Sequence, residues 1–210
     1  MKTKISAVYA VLMAGTALCG AGFVSGAAAA DVNKLVETCA DCHGKDGAST
    51  TPEVPIIGGY SAAYLTDSLN NYKNKERPCP EVKFNAGPHK GEPMDMCKVT
   101  KGLSDEDIKL IADYLAAKPF VRAKQTFDAD KAKRGKILHD ANCRKCHDNG
   151  GSSPDDDAGI LAGQWMPYIQ HTFDEFTSGK RPTPKKMQPK LDKLTKPDID
   201  DLINYFGSFQ

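Results

Sequence analysis

After its first thirty residues the chain has no apolar run long enough to cross a bilayer, so no later segment is expected to span a membrane. Aromatic residues are few, with 1 Trp, 7 Tyr and 8 Phe. Charge of either sign is not in excess, the formal net charge being +1, and no basic run marks a nucleic-acid partner. Alternating apolar and polar residues are also missing, which argues against a sheet. Gly and Pro are plentiful, at 18 and 13. Two small polypeptide cores of this composition would be marginal unless a large apolar cofactor supplied part of each interior.

The first thirty residues have the layout of a secretory signal. Lys2 and Lys4 open it, an apolar run from Ile5 to Val24 follows, and Ala28-Ala29-Ala30 precedes Asp31. Cleavage is expected after Ala30. A retained membrane anchor is the rival reading, and Leu18 before Cys19 fits a lipoprotein signal badly. Taking Lys2 and Lys4 from the 28 basic residues leaves 26 against 27 acids. Residues 31–210 are long enough for one large or two small domains.

An internal repeat decides between them. Cys39-Ala-Asp-Cys42-His43 recurs as Cys143-Arg-Lys-Cys146-His147, 104 positions on. At the same offset Ile57-Gly58-Gly59 meets Leu161-Ala162-Gly163, Tyr64 meets Tyr168, Tyr72 meets Phe176, and Arg77-Pro78 meets Arg181-Pro182. The offset then falls to 91, where Met96 meets Met187, Leu103 meets Leu194, Ile108 meets Ile199 and Tyr114 meets Tyr205. The first copy therefore carries 13 extra residues between Pro78 and Met96. The expected organisation is a signal (1–30), a first domain (31–120), a linker (121–130) and a second domain (131–210).

Each copy reads as helical. A helix leads into Cys-x-x-Cys-His, and a Gly/Ser/Pro-rich loop follows (44–55 and 148–159). An amphipathic helix comes next, over about 61–73 and about 165–178. A Pro-rich loop carries Met, and a last helix closes the copy. Ser104, followed by Asp105, Glu106 and Asp107, caps one closing helix. Thr195 with Asp198 caps the other, and Pro197 is tolerated near its start. Ile108, Ile111, Ala112 and Leu115 recur at helical spacing, as do Ile199, Leu202, Ile203 and Phe206. In the linker, Pro119 ends a helix, and Phe120, Val121 and Phe127 are apolar enough to lie against the domains.

Cys-x-x-Cys-His is the attachment signature of a c-type haem. Two thiols three positions apart on one turn can both add to vinyl groups at one edge of the macrocycle, and the next residue directs an imidazole at the iron. A redox dithiol or half a zinc site are the alternatives, and two copies in an exported chain disfavour both. Cys39, Cys42, Cys143 and Cys146 are thus expected to hold two covalently bound haem c groups, with His43 and His147 as proximal ligands. Pro55 and its repeat equivalent Gly159 are candidate carbonyl acceptors for the second ring nitrogen of each histidine.

Met187 is expected as the distal ligand in the second copy, with Met166 left to packing. Met94 and Met96 compete in the first copy, with His89 as an outsider, and the repeat alignment selects Met96. Thioether ligation raises the potential and fills the coordination sphere, which suits electron transfer better than oxygen or peroxide chemistry. Arg77 and Arg181 are candidate partners of haem propionates, or exposed helix-end arginines. Tyr64 and Tyr168 face the same choice between propionates and core packing. Trp165 is assigned to the haem, the domain interface or packing, and His139 and His171 receive no role. Cys79 and Cys97 bracket the insertion. A disulfide there closes a loop worth on the order of 3 kcal/mol by chain entropy, whereas a metal site with His89 or Met94 is the alternative. Oxidised pairing is the usual state outside the cytoplasm.

With these motifs the chain resembles dihaem class I cytochromes c: all-α, with two tandem domains related by duplication. Its second half is similar to the cytochrome subunit of flavocytochrome c sulfide dehydrogenase. That likeness rests on Ala123-Lys124-Gln125-Thr126-Phe127-Asp128, Leu138-His139-Asp140, Ile160-Leu161-Ala162-Gly163-Gln164-Trp165, Pro167-Tyr168 and Lys185-Lys186-Met187. The resemblance implies a periplasmic heterodimer in which a separate FAD-containing flavoprotein subunit oxidises sulfide and passes electrons to this chain. A soluble cytochrome c would then accept them. FAD is expected on the partner only, and no catalytic residue on this chain. The insertion holding Cys79, His89 and Cys97 departs from that family's pattern and leaves the contact surface of the first domain open. A free-standing dihaem carrier donating to a terminal oxidase is the competing reading. A dihaem peroxidase or thiosulfate-oxidising cytochrome would need an open ligand position, which the two Met candidates argue against.

Overall fold

Side-chain caps begin most of the longer helices in a computed structural model that describes residues 31–210. The expected signal, residues 1–30, lies outside the described residues. Asp31 accepts from the Asn33 amide to open α1 (Val32–His43), and Ser61 accepts from Tyr64 to open α2 (Ala62–Lys73). A five-residue α3 (Met96–Thr100) follows the insertion. α4 (Asp105–Ala116) starts from a full capping box in which Ser104 and Asp107 satisfy each other's backbone amides.

Asp128 caps α5 (Ala129–Asn142), so the second half becomes helical before the expected linker ends. Next come the one-turn α6 (Asp148–Gly151), α7 (Met166–Thr177) and the one-turn α8 (Gln188–Leu191). The closing α9 (Lys196–Gly207) repeats the capping box with Thr195 and Asp198, and Pro197 occupies its first turn, where no amide is needed.

Duplication is visible bond for bond. Ile57 N–H donates to Gly47 as Leu161 does to Gly151; Gly59 donates to Leu115 as Gly163 does to Phe206; Arg77 donates to Asn71 as Arg181 does to Glu175. Both arginines stack on the aromatic five residues earlier, Arg77 over Tyr72 at 4.4 Å and Arg181 over Phe176 at 4.5 Å. The first core gathers Val36, Leu65, Leu69, Ile108, Ile111 and Leu115, and the second Ile169, Phe173, Leu191, Leu202, Ile203 and Phe206.

The insertion departs from the purely helical expectation. Val82–Lys83 (β1) pairs antiparallel with Pro93–Met94 (β2), in the register Val82 to Met94 and Lys83 to Pro93. It is the only strand pair among the described residues. Pro and Gly at 80, 87, 88, 91 and 93 forbid a continuous helix here. A disulfide between Cys79 and Cys97, with Cα atoms 5.8 Å apart, closes its base.

The linker is docked on both halves. Phe120 stacks on Tyr60 at 6.0 Å, Ala123 N–H donates to the Gly163 carbonyl at 2.8 Å, and Gln125 bonds the Gln164 carbonyl and the Met166 amide. In the second half α5 and α9 lie against each other. Arg134 grips Asp201 through two bonds of 2.8 and 2.7 Å. Their approach is set by Gly135, where an added Cβ would stand 2.0 Å from the Asp201 carbonyl oxygen and 2.8 Å from the Tyr205 Cβ. Gly135→Ala should therefore force the helices apart and cost about 1–3 kcal/mol, as overpacking does elsewhere. Thermal denaturation followed by far-ultraviolet dichroism checks this, and an unchanged midpoint would refute the contact.

Candidate functional site

Helix α1 delivers the first Cys-x-x-Cys-His on its last turn, with His43 as its final residue. One cavity brings together Cys39, Cys42, His43, Met94 and Met96, walled by Leu65, Leu69, Val99, Leu103, Ile111 and Leu115. Part of its wall comes from the other half: Tyr168, His171 and Glu175 of α7 line it too.

His43 is buried, and its Nδ1 lies 2.9 Å from the Pro55 carbonyl oxygen, which leaves Nε2 free for a metal. Burial pushes its pKa below the ordinary imidazole value, so the ring is neutral, the form that ligates iron. The Cys39 thiol is pushed up to about 11, chiefly by burial. Met94 sits on β2 and Met96 begins α3, and both face the same cavity.

The second site is more open. Cys143 caps α5, its thiol is raised mainly by burial, and Cys146 is exposed. His147 caps α6, and burial also lowers its pKa. Met187 packs beside the second core. The repeat equivalent of the Pro55 bond is not formed: His147 Nδ1 is buried without a partner, and Gly159 lies instead against the Tyr64 hydroxyl of the first half. The loop between them turns at Pro154–Asp156, one residue earlier than the matched turn from Thr51 to Val54 in the first copy.

Two histidines without an expected role have contacts here. His139 is 1% exposed, and its Nε2 lies 2.8 Å from the His147 carbonyl, fixing the second attachment loop to α5. His171 pairs with buried Glu175 at 3.1 Å. The i, i+4 spacing of His171 and Glu175 on one helix could have announced their pair, whereas no periodic pattern announces the His139 contact.

Between the halves runs a buried polar seam. Gln164, with no exposed surface, accepts from the Ile56 amide at 3.0 Å, donates to the Ile56 carbonyl at 2.9 Å and also bonds the Tyr60 hydroxyl. Trp165 is an interface residue, its Nε1 donating to the Ser49 carbonyl at 2.9 Å. Arg77 is 7% exposed, so it is no surface arginine. Its Nη2 donates to the Tyr168 hydroxyl at 3.3 Å, while its Nε has no partner. Burial alone would raise Tyr168, but the Arg77 and Arg181 guanidiniums hold it below the usual phenol value. Tyr72, by contrast, is pushed up to about 12, mainly by burial.

These residues fit a covalently held haem. Thiols, an imidazole and thioethers converge on one apolar cavity, and Arg77 at its wall is a buried cation without a carboxylate partner among the described residues. Such a cation is costly unless an anion meets it, and a haem propionate is of the right charge.

Comparison with known proteins agrees. The family model for cytochrome c matches residues 29–118, and that for the cbb3-type cytochrome c oxidase subunit III matches 130–206. Cytochrome c-554(548) of Halomonas halodenitrificans is 37% identical over 93 residues, 44% of this chain and 98% of that protein. Cytochrome c4 of Pseudomonas aeruginosa is 27% identical over 201 residues, covering 90% of this chain and 91% of its own. The cytochrome subunit of sulfide dehydrogenase from Chlorobaculum tepidum is 35% identical, but over 77 residues only, 37% of this chain and 56% of that one. The crystal structure of reduced cytochrome c4 from Pseudomonas stutzeri superposes with a TM-score of 0.67 at 26% identity, covering 86% of this chain and 99% of that one. The chain belongs to the cytochrome c family. Within it, the two tandem domains define a dihaem class I cytochrome c, an electron carrier like cytochrome c4.

Gln164→Ala would strip Ile56 and Tyr60 of their partners, and each buried group left unpaired costs about 1–3 kcal/mol. Calorimetry should then show the single unfolding transition splitting in two as the halves uncouple. One undivided transition at the original temperature would remove Gln164 from that role.

Proposed function

We propose that the chain is a periplasmic, free-standing dihaem carrier, exported by cleavage after Ala30, with one haem c in each half. Cys39 and Cys42 would attach the first group and Cys143 and Cys146 the second, with His43 and His147 as proximal ligands and Met96 and Met187 as distal ones. Haem c, when bound, supplies a one-electron couple between ferric and ferrous iron. The chain's own residues enclose the first centre, hold both imidazoles neutral, orient His43 through the Pro55 carbonyl, and set an anion-binding arginine at the seam.

The observation that carries this reading is the shared wall. Tyr168, His171 and Glu175 of the second half line the first cavity, which favours two docked redox sites over two independent beads. The full-length likeness to cytochrome c4 favours the free-standing carrier. Met96 is preferred over Met94 because it alone occupies the repeat position of Met187.

A second reading has an observation of its own: the 77-residue likeness to the sulfide dehydrogenase cytochrome subunit. In that case an FAD-containing subunit would form a heterodimer with this chain and feed it electrons, and a soluble cytochrome would take them on. Purification of the native protein separates the two. A flavin spectrum travelling with the haem bands favours the heterodimer, and a cytochrome alone favours the carrier.

Intact mass after acid denaturation should equal the cleaved polypeptide plus two haems; a bare mass would falsify the dihaem reading. Met187→His should lower one potential, by roughly the difference between His/Met and bis-His ligation, and abolish one of two Met–iron charge-transfer bands. Retention of both bands would place the ligand elsewhere.

A further inference from the structure

The two attachment edges, alike in the repeat, differ in cover and charge. Over the first edge lies the insertion. The Asn85 and Ala86 amides both donate to the Asp41 carbonyl at 3.0 Å, and the Asn85 side-chain amide donates to the Cys42 carbonyl at 3.3 Å and to the Thr51 hydroxyl at 2.8 Å. Phe84 is buried beneath this strap and lines the first cavity. Gly87, at φ +73°, presses so close to the Asp41 carboxylate that a Cβ would stand 2.3 Å from it. The disulfide pins the strap at its base.

Among the described residues no such strap covers the second edge. Arg144, Lys145 and Cys146 are all exposed. Charge also changes at matched positions: Ala40 and Asp41 become Arg144 and Lys145, Met94 and Asp95 become Lys185 and Lys186, and Val99 becomes Lys190. All five cations are exposed, and Lys190 is close enough to Cys143 to offset part of the upward pull of burial on that thiol. Acids share this side: Asp148 pairs with Arg144 at 3.7 Å, Asp156 accepts from the Asp148 amide at 2.7 Å, Asp192 accepts from the Gln188 side-chain amide, and Asp155 and Asp157 are exposed, so the cations left unpaired here among the described residues are Lys145, Lys185, Lys186 and Lys190. A basic rim around a solvent-reachable redox edge steers an acidic protein partner and speeds its encounter.

We infer that the second half is the docking port of the molecule: the exposed cations Lys145 and Lys190 beside the Cys143–Cys146 edge, with Lys185 and Lys186 on the same half, receive an acidic redox protein, while the disulfide-pinned strap closes the matching edge of the first half to protein partners. This rests on the dihaem reading, and it adds a direction. Electrons exchanged with that partner pass through the second centre, and the first communicates through the seam.

Two paramagnetic probes on the fully reduced, isotopically labelled holoprotein test it by amide line broadening. A neutral gadolinium chelate reports exposure, and hexacyanochromate(III), a trianion, reports attraction. The neutral probe should broaden residues 144–146 and leave 41–42 sharp. The trianion should broaden 144–146 and 185–190 well beyond what the neutral probe does there. Lys145→Glu with Lys190→Glu should abolish that excess with the haem bands unchanged. Cys79→Ser with Cys97→Ser should expose 41–42 to the neutral probe; if that variant does not fold, Asn85→Ala is used with the same expectation. Equal broadening of both edges by the neutral probe would overturn the strap, and no trianion excess at the second edge would overturn the port. Failure of the dihaem reading is distinct, since it appears first as missing haem mass.

Discussion

A side-chain amide with both of its faces satisfied ties the two halves together at Gln164, which meets Ile56 the way a neighbouring strand would, accepting from its N–H and donating to its C=O. Ile56 itself is fully buried directly after Pro55, the residue that orients His43. The geometry of the His43 imidazole is thereby referred to the second half of the chain. Linker, Trp165 and the Arg77–Tyr168 bond all reinforce the same seam. Loss of this one contact would loosen the wall that α7 contributes to the first cavity. A buried polar group that is fully paired gives rigidity and a unique register, whereas a half-paired one is a liability.

Much of this was legible in the order of residues. Self-similarity at two offsets defines the duplication, and the capping residues Ser61, Ser104 and Thr195 start their helices where the pattern places them. The Cys-x-x-Cys-His segments lie at the ends of α1 and α5. These signals are local, carried by residues within a few positions of one another, so a one-dimensional reading captures them.

What escaped that reading is long-range. Gln164 looks like one polar residue among several, and its value comes from Ile56, 108 positions away. His139 has no repeat partner, yet it is almost wholly buried against the His147 carbonyl. Gly159 does not take up the acceptor role of Pro55, and its surface is claimed by Tyr64 of the other half. The strand pair in the insertion is two residues long on each side, too short for any alternation to register. Arg77 reads equally as a propionate partner or an exposed helix-end cation until the second half folds over it.

The strap over Asp41 and Cys42 also imposes a sequence of events on biogenesis. On the proposed dihaem reading, thioether formation needs a reachable thiol at Cys42, and the folded insertion bonds that residue's own carbonyl. Oxidation of Cys79 with Cys97 fastens the insertion there. Attachment in the N-terminal half is then favoured before latching, whereas Cys146 of the C-terminal half stays open to solvent whatever the state of that disulfide. An over-oxidising compartment would penalise the two halves unequally, leaving chains charged at one end only.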